Sequence, residues 1–148
     1  MKMTKKIEEI MFAPCGMNCM VCYKHCFTKK SRKPCLGCLV NDEIGKPEHC
    51  RKCKIKDCVH EKRVSYCYEC NQFPCQLIKN LEKSYIKHYN TSLITNSLFV
   101  KEYGLIEFMR NQHKIYTCLN CGGIFSLHDR ICTECGNPFI KNSNHQTN

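Results

Sequence analysis

Sixteen cysteines in 148 residues constrain this chain more than any other feature. Average globular composition does not approach that density. Aromatics make up 9% of the residues, tryptophan is absent and the mean hydropathy is −0.44. A large apolar core is therefore not expected, and the fold needs cross-links, either disulfides or metals. The compartment decides between them. The basic N-terminal stretch breaks its apolar run with Glu8 and Glu9, unlike the uninterrupted apolar region of a secretory signal. No stretch approaches the roughly 18 apolar residues of a membrane span. A cytoplasmic chain without membrane contact is expected, and in a reducing cytosol so many thiols read as metal ligands.

The sharpest motif is C-terminal. Cys118-Leu-Asn-Cys121-Gly-Gly and Cys132-Thr-Glu-Cys135-Gly-Asn are two C-x2-C-G knuckles at the spacing of a zinc ribbon. Two residues between thiolates let one tight turn present both sulfurs to a single ion, and the following glycine permits a positive φ where the chain folds back. The segment between the knuckles predicts two short strands around a polar turn at His128-Asp129, both of them read as turn residues.

The N-terminal block holds Cys15, Cys19, Cys22, Cys26, Cys35, Cys38, Cys50, Cys53, Cys58, Cys67, Cys70 and Cys75. Four of its steps are C-x2-C, each able to supply half of a tetrahedral site. With the ribbon, the block predicts about four zinc ions. Pairing is open: closure of neighbours would join Cys19/Cys22 to Cys35/Cys38 and Cys53/Cys58 to Cys67/Cys70, and interleaved pairing is the alternative. His25, His49 and His60 lie close enough to cysteines to replace a thiolate, although a solvated histidine is the simpler reading of each.

Residues 76–117 lack cysteine and read as helical. After Phe73-Pro74, Leu77, Leu81 and Tyr85 recur one turn apart, with Ile78 and Ile86 on the neighbouring stripe. Asn90-Thr91-Ser92 supplies cap chemistry for a second helix that Gly104 ends, and a third runs from Leu105 to about Gln112. The expected fold is a small metal-stabilised α+β protein: a cysteine-rich zinc-knuckle domain (11–75), a helical segment (76–113), a C-terminal β-hairpin zinc ribbon (114–140) and a disordered tail (141–148).

The motifs Cys15-Gly-Met-Asn-Cys19-Met-Val-Cys22, Cys35-Leu-Gly-Cys38, Cys53-Lys-Ile-Lys-Asp-Cys58 and Cys67-Tyr-Glu-Cys70-Asn-Gln-Phe-Pro-Cys75 resemble the cysteine-rich domain-of-unknown-function family numbered 3795, over roughly residues 11–90. The resemblance implies metal binding in a prokaryotic cytosol and no established reaction. Cys26 falls outside the family pattern.

Three functions follow from these readings. The first is a zinc-binding adaptor with a protein partner, since closed four-ligand sites stabilise folds whereas catalytic zinc keeps a position open. The second is an iron–sulfur redox protein, since the thiol density of the N-terminal block also suits one or two closed four-iron clusters, although the ferredoxin run C-x2-C-x2-C-x3-C is not reproduced; Cys15-x3-Cys19-x2-Cys22 separately has radical S-adenosylmethionine spacing, but the chain lacks the length and rhythm of an α/β barrel. The third is nucleic-acid binding through Lys29-Lys30-Ser-Arg32-Lys33 and Arg51-Lys52-Cys-Lys54-Ile-Lys56. A zinc ion in four thiolates carries a net charge of about −2, so the formal +10 reads first as counter-charge. No phosphate loop, nucleophile elbow or H-E-x-x-H helix is present, which makes an enzyme the less favoured reading.

Overall fold

Helices form where the cysteines stop. The computed structural model describes residues 1–31, 33–40 and 45–140. Its α-helices are α1 (Tyr23–Cys26), α2 (Glu48–Arg51), α3 (Lys54–Glu61), α4 (Gln76–Tyr89), α5 (Leu93–Tyr103) and α6 (Leu105–Tyr116), with 3-10 turns at Glu9–Met11, Cys19–Val21 and Cys67–Glu69. Pro74 precedes α4, whose N-cap is Cys75. At the start of α5 the Thr95 N–H donates to Ser92 Oγ at 3.0 Å, and the Ile94 N–H donates to the Glu82 carboxylate of α4 at 2.7 Å. Two otherwise unpaired helix-end donors are thereby satisfied. Gly104 ends α5 as expected, and α6 runs to Tyr116, one turn past Gln112.

The two adjacent apolar stripes on α4 each contribute to the packed face and each leave one residue outside it. Ile78 is buried, Leu81 and Tyr85 pack partly against the core, and Leu77 and Ile86 face solvent. On α5 the buried positions are Leu93, Ser97 and Val100, and Leu98 is half exposed.

The expected β-hairpin does not form. Among the described residues there is no β-strand, only isolated antiparallel bridges, including Thr117 with Ile124, Phe125 with Cys132 and Ile131 with Pro138. The α+β expectation therefore gives way to a helical fold with an irregular C-terminal module. The reason lies in where the backbone bonds go. Ile124 N–H donates to Met1, Phe125 N–H to Tyr116, Ser126 N–H to Ile131 and Leu127 N–H to Val21. Four consecutive donors reach four different segments, so no two-strand ladder can propagate.

The main core joins the two ends of the chain to α5 and α6: Phe12, Met17, Met20 and Val21 from the N-terminal segment, Leu93 and Val100 from α5, Phe108 and Met109 from α6, and Ile124, Phe125 and Leu127 near the C-terminus. A smaller cluster joins Ile55 and Val59 of α3 to Cys67 and Ile78. Gly16 permits the closest approach. It has φ +100°, and a Cβ there would lie 2.4 Å from the Leu93 carbonyl oxygen and 2.7 Å from Ser97 Oγ, so the first cysteine loop can rest on α5 only without a side chain. Arg32 and the tail expected over 141–148 lie outside the described residues.

Candidate metal centres

The four C-terminal sulfurs converge. Cys118 and Cys135 Sγ are 3.7 Å apart, Cys121 and Cys132 Sγ are 3.5 Å apart, and all four lie within 4.8 Å of one another. A tetrahedron with zinc–sulfur bonds of about 2.3 Å has edges of about 3.8 Å, so this set fits a four-thiolate ion. The two knuckles are built alike: Gly122 N–H donates to the Cys118 carbonyl at 2.8 Å and Gly136 N–H to the Cys132 carbonyl at 3.0 Å. Gly122 and Gly136 have φ +76° and +75°, as the motif requires. Gly123 N–H also donates to Cys121 Sγ at 3.4 Å. The Asn137 backbone N–H, with Asn120, Cys121 and Cys132 near by, pulls the Cys135 thiol down to about 6, where thiolate predominates at neutral pH.

The twelve N-terminal cysteines are gathered less tightly. Among the described residues, no other set of three or more His, Cys, Asp or Glu ligand atoms closes to the span of the C-terminal set. Their neighbourhoods are nevertheless distinct. Burial, and then the sulfurs of Cys38, Cys53 and Cys67, push Cys15 up to about 12. Burial, and then Cys22, Cys35, Cys38 and Cys53, push Cys50 up to about 12. Cys19, whose thiol burial raises well above its ordinary value, neighbours Cys38, Cys15 and Cys22. Cys67 is pushed up to about 12 by burial, then by Cys75, Cys58 and Cys70. Cys26 is buried in the main core, where burial and then Cys22 act on it. The knuckle signature recurs, because the backbone N–H two residues on acts on Cys15 from Met17, on Cys22 from Lys24 and on Cys70 from Gln72.

Residues 11–80 match the family model DUF3795, a protein of unknown function. The match covers all twelve N-terminal cysteines and ends inside α4, short of residue 90, so most of the helical segment and the C-terminal module lie outside it. No curated protein and no solved structure matches the chain.

Within the DUF3795 region, several basic residues sit on thiols or on partners in this chain. Lys46, though buried, donates to the Cys38 carbonyl at 3.2 Å, and its charge and that of Lys56 oppose the rise of the Cys38 thiol caused by burial and by Cys53. Lys62 Nζ lies 3.5 Å from Cys70 Sγ. Lys30 pairs with Asp129, Lys52 pairs with Glu48 at 2.7 Å, and Lys56 donates to the Arg51 carbonyl at 2.8 Å. Among the histidines, His25 Nδ1 bonds the Cys35 carbonyl, and His49 and His60 are exposed.

His128 lies in a turn, as read from the sequence, but its surroundings were not foreseen. Its ring packs edge-on against Tyr23, Tyr85 and Tyr89 at centroid distances of 5.3, 5.9 and 4.7 Å, and Tyr85 OH lies 3.3 Å from Nε2. The i, i+4 tyrosines of α4 were visible in the sequence. That a turn residue some forty positions on would fill the space between them was not. No described helix is long and apolar enough to cross a membrane.

Proposed function

We propose that this chain is a zinc-organised binding or adaptor protein of the cytoplasm, in which metal–thiolate sites replace a large apolar core and present a surface to a protein partner. The observation that carries the reading is the convergence of Cys118, Cys121, Cys132 and Cys135 within 4.8 Å. Four protein ligands fill a tetrahedral ion and leave no position for water, which is the arrangement of a structural site. Zinc is the ion of choice because thiolate-only tetrahedral sites suit it and it needs no redox partner. The N-terminal thiols are read as further ligands. Each raised thiol would be relieved by an ion that holds it as thiolate, and Lys46, Lys56 and Lys62 stand where they offset thiolate charge. The same placement disfavours nucleic acid as the partner, since Lys30, Lys52 and Lys56 are engaged within the chain.

Metal analysis of anaerobically purified protein, read with its absorption spectrum, tests the proposal. About four zinc ions per chain and a colourless solution are expected. A brown protein with several irons, labile sulfide and no more than about one zinc would replace this reading with the iron–sulfur one.

A further inference from the structure

We infer that the cavity enclosed by the α4–α5 turn, α6 and the C-terminal module binds a small carboxylate, with Arg130 as its charged anchor. The inference does not depend on which metal the cysteines hold. Nor does the DUF3795 match bear on it, since of the lining residues only Asn18 falls within residues 11–80.

The cavity measures about 280 Å³, at the lower edge of the range for small-molecule sites. Ile115, Tyr116, Leu127 and Phe139 give it an apolar wall, in which the Tyr116 and Phe139 rings stack at 5.1 Å. Carboxamides and hydroxyls from the α4–α5 turn, α5, α6 and Asn18 make up the rest, and Arg130 brings the charge. No acidic side chain lines it among the described residues. A wall of this kind suits a compact ligand with an apolar body and an acceptor-rich end.

These polar groups are held in place without being used up. Asn18, 1% exposed, accepts from the Met20 N–H at Oδ1 and donates through Nδ2 to Gln112 Oε1, each at 3.1 Å. The Gln112 amide nitrogen is left without a partner among the described residues. Ser92 Oγ accepts from the Thr95 N–H, so its O–H remains free to donate. Asn96 donates to the Gly16 carbonyl at 3.0 Å and keeps its oxygen as an acceptor for a ligand hydroxyl or amine. Arg130 spends one N–H, from Nη1 to the Tyr89 carbonyl at 2.9 Å, and its guanidinium lies 5.0 Å from the Phe139 ring centre. Its chain neighbour Asp129 is taken by Lys30, and Arg130 itself makes no ion pair among the described residues. The backbone of Arg130 holds φ +61°, a left-handed conformation that costs a non-glycine residue energy and is found where a side chain is being positioned. Unspent donors thus surround one unpaired cation. The planar fork of arginine matches a carboxylate, and a single positive charge balances a monoanion, where a phosphate would call for more.

The test is titration of the wild-type holoprotein with L-lactate, succinate, benzoate and L-glutamine, followed by NMR at the side-chain amides of Asn18 and Gln112 and at Arg130 Nε. At least one acid is expected to bind with a Kd below about 1 mM and to shift these signals together. Its primary-amide counterpart keeps the shape and loses the charge, and is expected to bind at least roughly 10-fold more weakly. Arg130→Gln should weaken the acid roughly 10-fold, while native mass spectrometry counts the same metal ions as in wild type. Gln112→Glu is the second variant: it keeps an oxygen for Asn18 and sets a negative charge in the cavity, so the protein should stay folded and lose the ligand. Lys114→Gln, exposed on α6 and outside the lining, should leave binding unchanged. If no acid shifts these signals at about 10 mM, ten times that Kd, or if acid and amide bind equally, the site is overturned. Inorganic phosphate binding where every carboxylate fails would overturn the carboxylate assignment.

Discussion

The C-terminal module and the DUF3795 region are built from the same residue type in similar knuckles, yet they reach different degrees of closure. In the C-terminal module two C-x2-C-G turns face one another across a short excursion, and backbone bonds from Met1, Val21 and Tyr116 hold that excursion in place. The sulfurs arrive within 4.8 Å through the backbone alone. In the N-terminal region the knuckles are separated by longer loops and by the short helices α1, α2 and α3, and among the described residues their sulfurs do not reach the same span. The backbone thus preorganises the C-terminal set of thiols, whereas on the zinc reading proposed above the N-terminal thiols would need the ion itself to bring them together.

The largest expected effect comes from removing the metal. Chelation at neutral pH under reducing conditions should abolish amide protection through residues 15–75, since a structural zinc contributes on the order of 10 kcal/mol of folding free energy, while the backbone bonds around Ile124–Leu127 retain part of theirs. Hydrogen exchange by mass spectrometry measures both regions at once. Equal loss in the two would erase the distinction drawn above.

Cys132→Ser is next in size. It should release one ion and loosen the C-terminal module while the N-terminal ions stay bound, as native mass spectrometry would count. Because Cys132 is buried in the main core, loss of every ion together would show that the two regions form one cooperative unit.

A pair of glycine variants sharpens the contrast. Gly16→Ala forces a Cβ against α5 at a left-handed φ and should cost about 3 kcal/mol of global stability by denaturant titration. Gly123→Ala brings a Cβ to 2.7 Å from Cys132 Sγ and should act on C-terminal metal affinity first. An equal global loss from both would argue that neither region is separately organised.

The smallest effect concerns pH. Burial and then His49 hold His128 below its ordinary 6.5, against the pull of Asp129. The unfolded chain therefore takes up the proton first, so the stabilisation is present above pH 6.5 and declines as pH falls below it. Wild type should lose stability over that range relative to His128→Gln, in which the tyrosines no longer enclose an ionisable ring. Parallel pH profiles for the two proteins would remove His128 from the account.

Legibility of the sequence followed the range of the determining interactions. The C-terminal knuckles were readable because a thiolate turn and its glycine occupy five consecutive residues, and φ at Gly122 and Gly136 is set within them. The helices were readable from periodicity and from Ser92 and Gly104 at the ends of α5. Which apolar residues α4 buries was not, because Leu77 and Ile78 are equally apolar and only the position of α3 and the 3-10 turn favours Ile78. The hairpin was misread because two short apolar runs around a polar turn show that backbone donors exist, not which carbonyls will take them.

By itself, the sequence determined where the helices lie and which two knuckles can bring four thiols together, because each of these depends on residue chemistry over a few consecutive positions. Only the tertiary structure decided that His128 fills the space among three tyrosines and that Ile124–Leu127 bonds to four segments instead of pairing with itself. Such choices are made among many chemically equivalent partners, and chain geometry in three dimensions is what separates them.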